Sequence, residues 1–388
     1  MKIMIVNTLY SPYKIGGAEV SVQILAEELV AQGNDVIVIT LHEGAKRKES
    51  KINGVSIVYL PLKNIYWPFS GHSRGPLSKL LWHIVDNYNP IMGKYFHAEL
   101  KRFKPDVVHT NNISGFSVAI WGRVKRENIK LIHTARDYYL FHPNTTLFSY
   151  GSNASEKSTG VKVWSYIKRR QSRKVDAFVG ISDFIRRFHI EAGFFSKSKS
   201  TYIYNAVSPS CYEYPVMGSS EEIRVGFIGR LTADKGFESY CQIVEKLKDR
   251  GHKVLAFSAG RYGIDKNSEQ LKLLAEKNNI EHLGFAKLTD FLSHVDIVIL
   301  PIKWREPFGR VVVECALAGK MVLTNSVGGI TELIALIPTV VDLKEGEINL
   351  KEPLVLGGEE RDKCIDRFGQ LNMTKDYLSV YNDDGNNS

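Results

Sequence analysis

Residues 296–326 read DIVILPIKWREPFGRVVVECALAGKMVLTNS. Two strand-length apolar runs, Asp296 to Ile302 and Met321 to Ser326, enclose a helix-length segment, Gly309 to Gly319, that follows a Pro-Phe-Gly turn. Uninterrupted apolar strands joined by a helix indicate parallel strands buried on both faces. Gly319 suits the position that ends a helix, and Pro307 suits a helix start. Glu306 falls in the loop at the carboxyl end of the first strand, where open α/β sheets bind ligands. Glu314 falls inside the helix among Val311, Val312, Val313, Cys315 and Leu317. A carboxylate in such a run is rarely buried without a partner.

The same alternation extends in both directions. In the first half, strand-like runs are KIMIVNTL (2–9), DVIVITL (35–41), VSIVYLP (55–61), DVVHT (106–110), KLIHTA (130–135), AFVGIS (177–182) and STYIYNAV (200–207). The second half adds IRVGFIG (223–229), KVLAFSAG (253–260) and TVVDL (339–343). Helix-length amphipathic segments separate them, so each half is expected to be a doubly wound α/β sheet. A chain of 388 residues also exceeds what one core ordinarily supports. The expected division is an N-terminal domain over 1–205, a linker over 206–222 and a C-terminal domain over 223–365. A last helix over 366–388 would pack back toward the first domain and end in a polar, disordered tail. The linker assignment rests on the aperiodic, Pro- and Gly-containing stretch NAVSPSCYEYPVMGSSEEI.

Composition narrows the class. At 44% hydrophobic and 24% charged, with no apolar run long enough to span a bilayer, the chain reads as soluble and globular. The N-terminal MKIMIVNTLY leads into a Gly-rich turn without a small-residue cleavage site and reads as a buried first strand, not a signal peptide. Cys211, Cys241, Cys315 and Cys364 have no paired spacing, which fits a reducing cytoplasm and neither a disulfide framework nor a zinc site. The net charge of +9 is uneven: residues 1–208 hold 29 Lys and Arg against 15 Asp and Glu, the remainder 22 against 27. The basic first half either meets something anionic or is simply a well-solvated surface.

Two further segments follow a strand and open a helix, where unpaired N–H groups favour anions. Gly16 and Gly17 precede the first helix, and glycine lets backbone approach a ligand closely; the plain reading is a tight turn. Arg230 and Lys235, in VGFIGRLTADKGFE, follow the first strand of the second half. An arginine fork beside a lysine point charge suits a diphosphate. The sequence contains no Asp-x-Asp triplet, no His/Cys cluster with metal-ligand spacing, no G-x-S-x-G elbow and no Walker A motif, so no metal is expected.

These residues resemble glycosyltransferase family 4, the retaining nucleotide-sugar enzymes of GT-B fold. FIGRLTADKGFE is similar to that family's G-R-L-x-x-x-K-G segment, and EPFGRVVVECALAGKMVLTNSVGGITELI to its E-P-F-G-x-x-x-x-E block. A weaker likeness runs through GGAE, GISDFIRRFHIEAGF and YIYNAVS. The resemblance implies two Rossmann-like domains facing across a cleft, with a nucleotide diphosphate sugar as co-substrate and no other cofactor. Arg230 and Lys235 would bind the diphosphate and Glu306 the sugar hydroxyls. Backbone N–H groups at Phe308, Gly309 and Arg310 would lie along sugar and phosphates, and Glu314 would take the ribose. Gly16 and Gly17 would close over the diphosphate from the opposite side. Glu306, Arg230 and Lys235 would form the catalytic set, transferring a sugar with retained configuration to a glycan or glycolipid in bacterial surface polysaccharide synthesis. Alternatives are a nucleotide-sugar epimerase of the same fold and a nucleotide-binding partner without catalysis. Many members carry His-Asp where this chain has Arg136 and Asp137, leaving open whether the guanidinium meets a phosphate or an anionic sugar on the acceptor side. His133, within the strand, reads as a core residue.

The acceptor side is less explicit. VKVWSYIKRRQSRKV, residues 161–175, combines Trp164 with Lys168, Arg169, Arg170, Arg173 and Lys174 and contains no acid. Such a segment is either an interfacial anchor on anionic lipid, placing the protein peripherally on the inner face of the cytoplasmic membrane, or a solvated helix packed on its own sheet. The segment 74–106, with Trp82, Tyr88, Tyr95 and Phe96, is a second candidate for shaping the acceptor side. Nucleic acid is not expected, because no recognisable binding module accompanies the charge.

Overall fold

The computed structural model describes residues 1–13, 16–71, 74–149, 151–207, 222–263, 267–344, 350 and 353–383. The expected linker and the end of the polar tail lie almost entirely outside them. The chain divides into two compact units. The first comprises Met1–Leu147, Ala154–Ala206 and Gln370–Ser388, the second Phe148–Asn153 and Val207–Gly369.

In the first unit the chain runs β1 (Lys2–Val6), α1 (Gly17–Ala31), β2 (Asp35–His42), β3 (Lys48–Ile52), β4 (Val55–Pro61), α2 (Pro76–Asn87), α3 (Pro90–Phe103), β5 (Val107–Thr110), α4 (Ala119–Arg126) and β6 (Lys130–Ala135). A short hairpin, β7 (Phe148–Ser149) and β8 (Ser152–Asn153), belongs to the second unit. The first unit resumes with α5 (Thr159–Ser172), β9 (Ala177–Gly180), α6 (Asp183–Glu191) and β10 (Lys199–Tyr202). Its sheet has the order β10-β9-β6-β5-β1-β2-β4-β3, parallel except for β3. The strand order reverses between β1 and β5, which makes that gap the crevice of a doubly wound sheet. Strand β3, KESKI, escapes an apolar-run criterion because it is a charged, antiparallel edge, the composition that keeps edges from pairing with other chains.

The second unit runs β11 (Ile223–Ile228), α7 (Phe237–Asp249), β12 (Val254–Ala259), α8 (Ser268–Lys277), β13 (Ile280–His282), α9 (Leu288–Leu292), β14 (Ile297–Leu300), α10 (Arg310–Leu317), β15 (Met321–Thr324), α11 (Ile330–Leu336), β16 (Val340–Asp342) and α12 (Gly358–Arg367). Its sheet, β13-β12-β11-β14-β15-β16, is parallel throughout and reverses order between β11 and β14. The last helix, α13 (Gln370–Asn382), belongs to the first unit. There Met373, Tyr377 and Tyr381 join the core formed by β1, α1 and β2, and the Tyr381 hydroxyl meets Nδ1 of buried His109 at 2.7 Å.

Candidate active site

In the second unit the two loops bordering the strand reversal carry the predicted residues. Arg230 and Lys235 follow β11, and Glu306 follows β14. The loops lock together through backbone: Lys303 and Trp304 N–H groups both donate to the Asp234 carbonyl, at 3.0 and 3.2 Å. Gly236, at φ +83°, sits so close to the end of β14 that a Cβ would lie 1.9 Å from the Pro301 carbonyl oxygen. Gly328 also packs tightly against the Glu306 backbone, where a Cβ would lie 2.4 Å from the Glu306 carbonyl oxygen, and Gly329 N–H donates to that carbonyl at 2.8 Å.

Glu306 is therefore fixed by its backbone before its side chain makes any contact. Its Oε2 accepts from Lys235 Nζ at 2.6 Å and from the Trp304 indole at 2.9 Å, while the Lys235 ammonium lies 4.8 Å from the Trp304 ring centre. Both side chains of the pair are mostly buried. Arg230 is held by Asp234 at 3.0 Å but keeps its side chain largely exposed. Helix α10 starts at Arg310, behind Gly309 at φ +97°, so Pro307 belongs to the preceding turn and not to the first helical position. The first N–H groups of such a helix have no intrahelical acceptor, and its positive end favours anions.

Glu314 has the partner its apolar surroundings demand: Arg310 Nε donates to its Oε1 at 2.6 Å, one helical turn away. Arg310 Nη1 is buried without a hydrogen-bond partner among the described residues, leaving one donor of the fork unused. Sequence reading values Arg310 for its backbone alone; its spacing of four from Glu314 is the available signal.

Asn153 carries no such signal, being about 150 residues upstream of the loop it supports. From β8 its side chain donates to the Lys303 carbonyl at 3.0 Å and accepts from Arg305 N–H at 2.9 Å, bracketing Trp304. Replacing Asn153 by alanine is expected to lower the stability of this unit by about 1–2 kcal/mol, two neutral hydrogen bonds being lost. Turnover should fall with less change in nucleotide binding. Thermal unfolding and steady-state kinetics measure the two effects.

In the first unit Gly16 caps α1, and its N–H donates to Glu19 Oε2 at 2.8 Å. Glu19, itself buried, escapes sequence reading; a carboxylate three residues after a helix cap is the recognisable pattern. Arg136 is buried at the end of β6, with Nε on Asn111 Oδ1 at 2.9 Å and Nη1 on Asn205 Oδ1 at 2.5 Å. Asp137 accepts from Tyr139 N–H at 2.8 Å, and burial pushes its carboxyl up to about 6. Arg136 and Asp137 line a small cavity with Asn111, Asn112 and Tyr139. His133 is a core residue, bonded to Thr110 Oγ1 at 3.0 Å and stacked on Phe195.

The basic helix is corrected at one residue. Lys168 is not on the exposed face of α5: it is buried, donates to the Tyr139 carbonyl at 2.7 Å and is balanced by Asp86 and Asp137. Arg169 is half-buried against Phe194, while Arg170, Arg173 and Lys174 are exposed and Trp164 is half-buried beside His83. Trp82 and Phe96 are likewise core residues and line no open surface.

Two doubly wound sheets, the second with two cationic side chains, a carboxylate and a helix N-terminus gathered where its strand order reverses, define a glycosyltransferase of the GT-B class. The chain belongs to glycosyltransferase family 4. The family described as Glycosyltransferase Family 4 matches residues 15–210, and Glycosyl transferases group 1 matches residues 218–336. A Klebsiella pneumoniae protein described as an uncharacterized 42.6 kDa protein in cps region is 48% identical over 98% of this chain and 100% of its own length. A Methanocaldococcus jannaschii protein described as uncharacterized glycosyltransferase MJ1607 is 25% identical over 86% of this chain and 83% of its own. Among solved structures, Anabaena Alr3699/HepE in complex with UDP and glucose superposes with a TM-score of 0.67 at 17% identity, covering 98% of this chain and 99% of that one.

Proposed function

We propose that the protein is a retaining, metal-independent glycosyltransferase that moves a sugar from a nucleotide diphosphate sugar to a glycan or lipid-linked acceptor in surface polysaccharide synthesis. The observation carrying this reading is the Lys235–Glu306–Trp304 cluster beside exposed Arg230 at the strand reversal of the second unit. Positive charge and a carboxylate side by side suit a donor that is anionic at its diphosphate and polyhydroxylic at its sugar. Arg230, Lys235 and the N-terminus of α10 stabilise the diphosphate as the bond from the anomeric carbon to its oxygen breaks. The acceptor oxygen bonds to that carbon on the same face, and its proton passes to the departing phosphate. Glu306 orients the sugar, and the Arg310–Glu314 pair offers Glu314 to the ribose. The UDP in the Anabaena structure supports a nucleotide donor, and the cps region of the Klebsiella relative supports the polysaccharide role.

The test is a panel of nucleotide sugars scored for thermal stabilisation and for nucleotide release, because a donor that binds the folded state raises its stability. Arg230→Ala is expected to weaken nucleotide diphosphate binding by about tenfold or more, the worth of a charge-assisted hydrogen bond. Titration calorimetry with the nucleotide measures it. Unchanged affinity would remove Arg230 from the diphosphate site.

A further inference from the structure

Helix α2 turns its apolar side outward. Leu77, Leu80, Leu81 and Ile84 recur at the spacing of one helical face, yet all are exposed, Leu77 at 68% and Ile84 at 54%. The side of α2 that faces inward contributes buried Trp82 and Asp86. The outward stripe continues into α3, where Ile91 is 58% exposed and Tyr95 is also open. Folded monomers rarely leave such a contiguous apolar face in water, so its exposure requires an occupant.

Charge decides which occupant. From Leu62 to His97 the chain contains Lys63, Arg74, Lys79 and Lys94 and a single acid, Asp86. Asp86 is buried, accepting from Gly115 N–H and lying near Lys168, so it presents no negative charge at the surface. Arg74, Lys79 and Lys94 are exposed around the stripe. Helix α5 packs beside α2 through the edge-on contact of Trp164 with His83, and it exposes Val163, Tyr166, Lys162 and Arg170 with no acid anywhere along it. Two copies joined through this face would bring like charges together, whereas an anionic bilayer offers an apolar interior and a negative surface at once.

We infer that the outward face of α2, continued by Ile91 and Tyr95 and flanked by Arg74, Lys79 and Lys94, docks the protein on an anionic lipid bilayer. This deepens the proposed lipid-side acceptor, and it places attachment on the leucine stripe of α2, with α5 as its basic flank. Among the described residues no helix is long and apolar enough to cross a membrane, so the attachment is interfacial.

The experiment is co-sedimentation of the full chain with vesicles of phosphatidylcholine alone or mixed with phosphatidylglycerol. The mixed vesicles are expected to retain the protein at low salt. The triple variant Leu80→Ser, Leu81→Ser, Ile84→Ser should partition at least about tenfold less, each exposed apolar side chain contributing to insertion. Its unfolding temperature should fall only slightly, by the lower helix propensity of serine, because none of the three is buried. The variant Arg74→Glu, Lys79→Glu, Lys94→Glu should lose the preference for phosphatidylglycerol. Wild-type protein left in the supernatant at low salt, or a leucine variant that binds as well as wild type, overturns the inference. So does a wild-type dimer, seen by light scattering, that the leucine variant abolishes. Stabilisation of the wild-type protein by nucleotide sugars is read in parallel: vesicle binding without any such stabilisation would sink the transferase reading and leave the lipid surface standing.

Discussion

Glu306→Ala is expected to lower the turnover number by about a hundredfold to a thousandfold, the scale seen when one preorganised polar contact is removed from an active site. The residue is poised and costly to replace because its backbone is clamped by Gly328 and Gly329 and its Oε2 already holds Lys235 and Trp304. On the proposed role the sugar loses its carboxylate in the alanine variant, and the Lys235 ammonium loses its counter-charge in a mostly buried position. Nucleotide binding should survive, since Arg230 and the start of α10 are untouched. Glu306→Gln separates shape from charge: it can still accept one hydrogen bond but cannot neutralise Lys235. Single-turnover transfer with a donor from the panel, beside calorimetry with the nucleotide alone, measures both halves. Ordinary turnover by the alanine variant would end the assignment of Glu306 to the sugar.

A large effect on stability is expected at Gly236. Alanine there would combine a left-handed backbone at φ +83° with a Cβ placed 1.9 Å from the Pro301 carbonyl oxygen, a backbone atom that cannot swing aside. A cost of at least about 3 kcal/mol is expected, from overpacking added to backbone strain. Gly251 provides the control. It has the same φ of +83°, but a Cβ there would meet nothing within 4 Å, so Gly251→Ala should cost only the backbone strain, about 1–2 kcal/mol. Calorimetric unfolding of the two variants, with the transition of the second unit followed separately, tests the difference. Equal losses would show that the close approach of the two loops is not under the steric tension read here. Because Gly236 follows Lys235 directly, any Gly236→Ala protein that folds should also show impaired nucleotide-sugar binding.

The parallel architecture was legible in the sequence because strands buried on both faces must be apolar along their length. Such runs mark nearly every strand of both sheets. The exceptions are informative: β3 is a charged edge, β10 is an exposed polar edge, and β13 is three residues long; the separate hairpin strands β7 and β8 hold two residues each, too short to carry a pattern. The positions of the candidate residues Arg230, Lys235, Glu306 and Glu314 in the fold were legible for a related reason. Arg230, Lys235 and Glu306 lie in short loops directly after apolar strands, and Glu314 in the second turn of the helix that follows, where chain order alone fixes which end of the sheet they occupy.

What the sequence could not determine depends on contacts distant along the chain or on which side of a helix faces the core. Asn153 reaches the Glu306 loop from a hairpin about 150 residues earlier, a closure that local periodicity cannot encode. Lys168 and its neighbours in α5 read identically as a basic face, and only packing against Tyr139, Asp86 and Asp137 turned that lysine inward. The apolar stripe of α2 shows the converse. Its spacing declares an amphipathic helix but not which side is buried, and burial of Trp82 and Asp86 turned the leucines toward solvent. Local sequence thus determined the elements and their order, because hydrophobic period and turn chemistry act over a few residues. Tertiary structure decided orientation, because the direction a helix faces is set by what the rest of the fold packs against it.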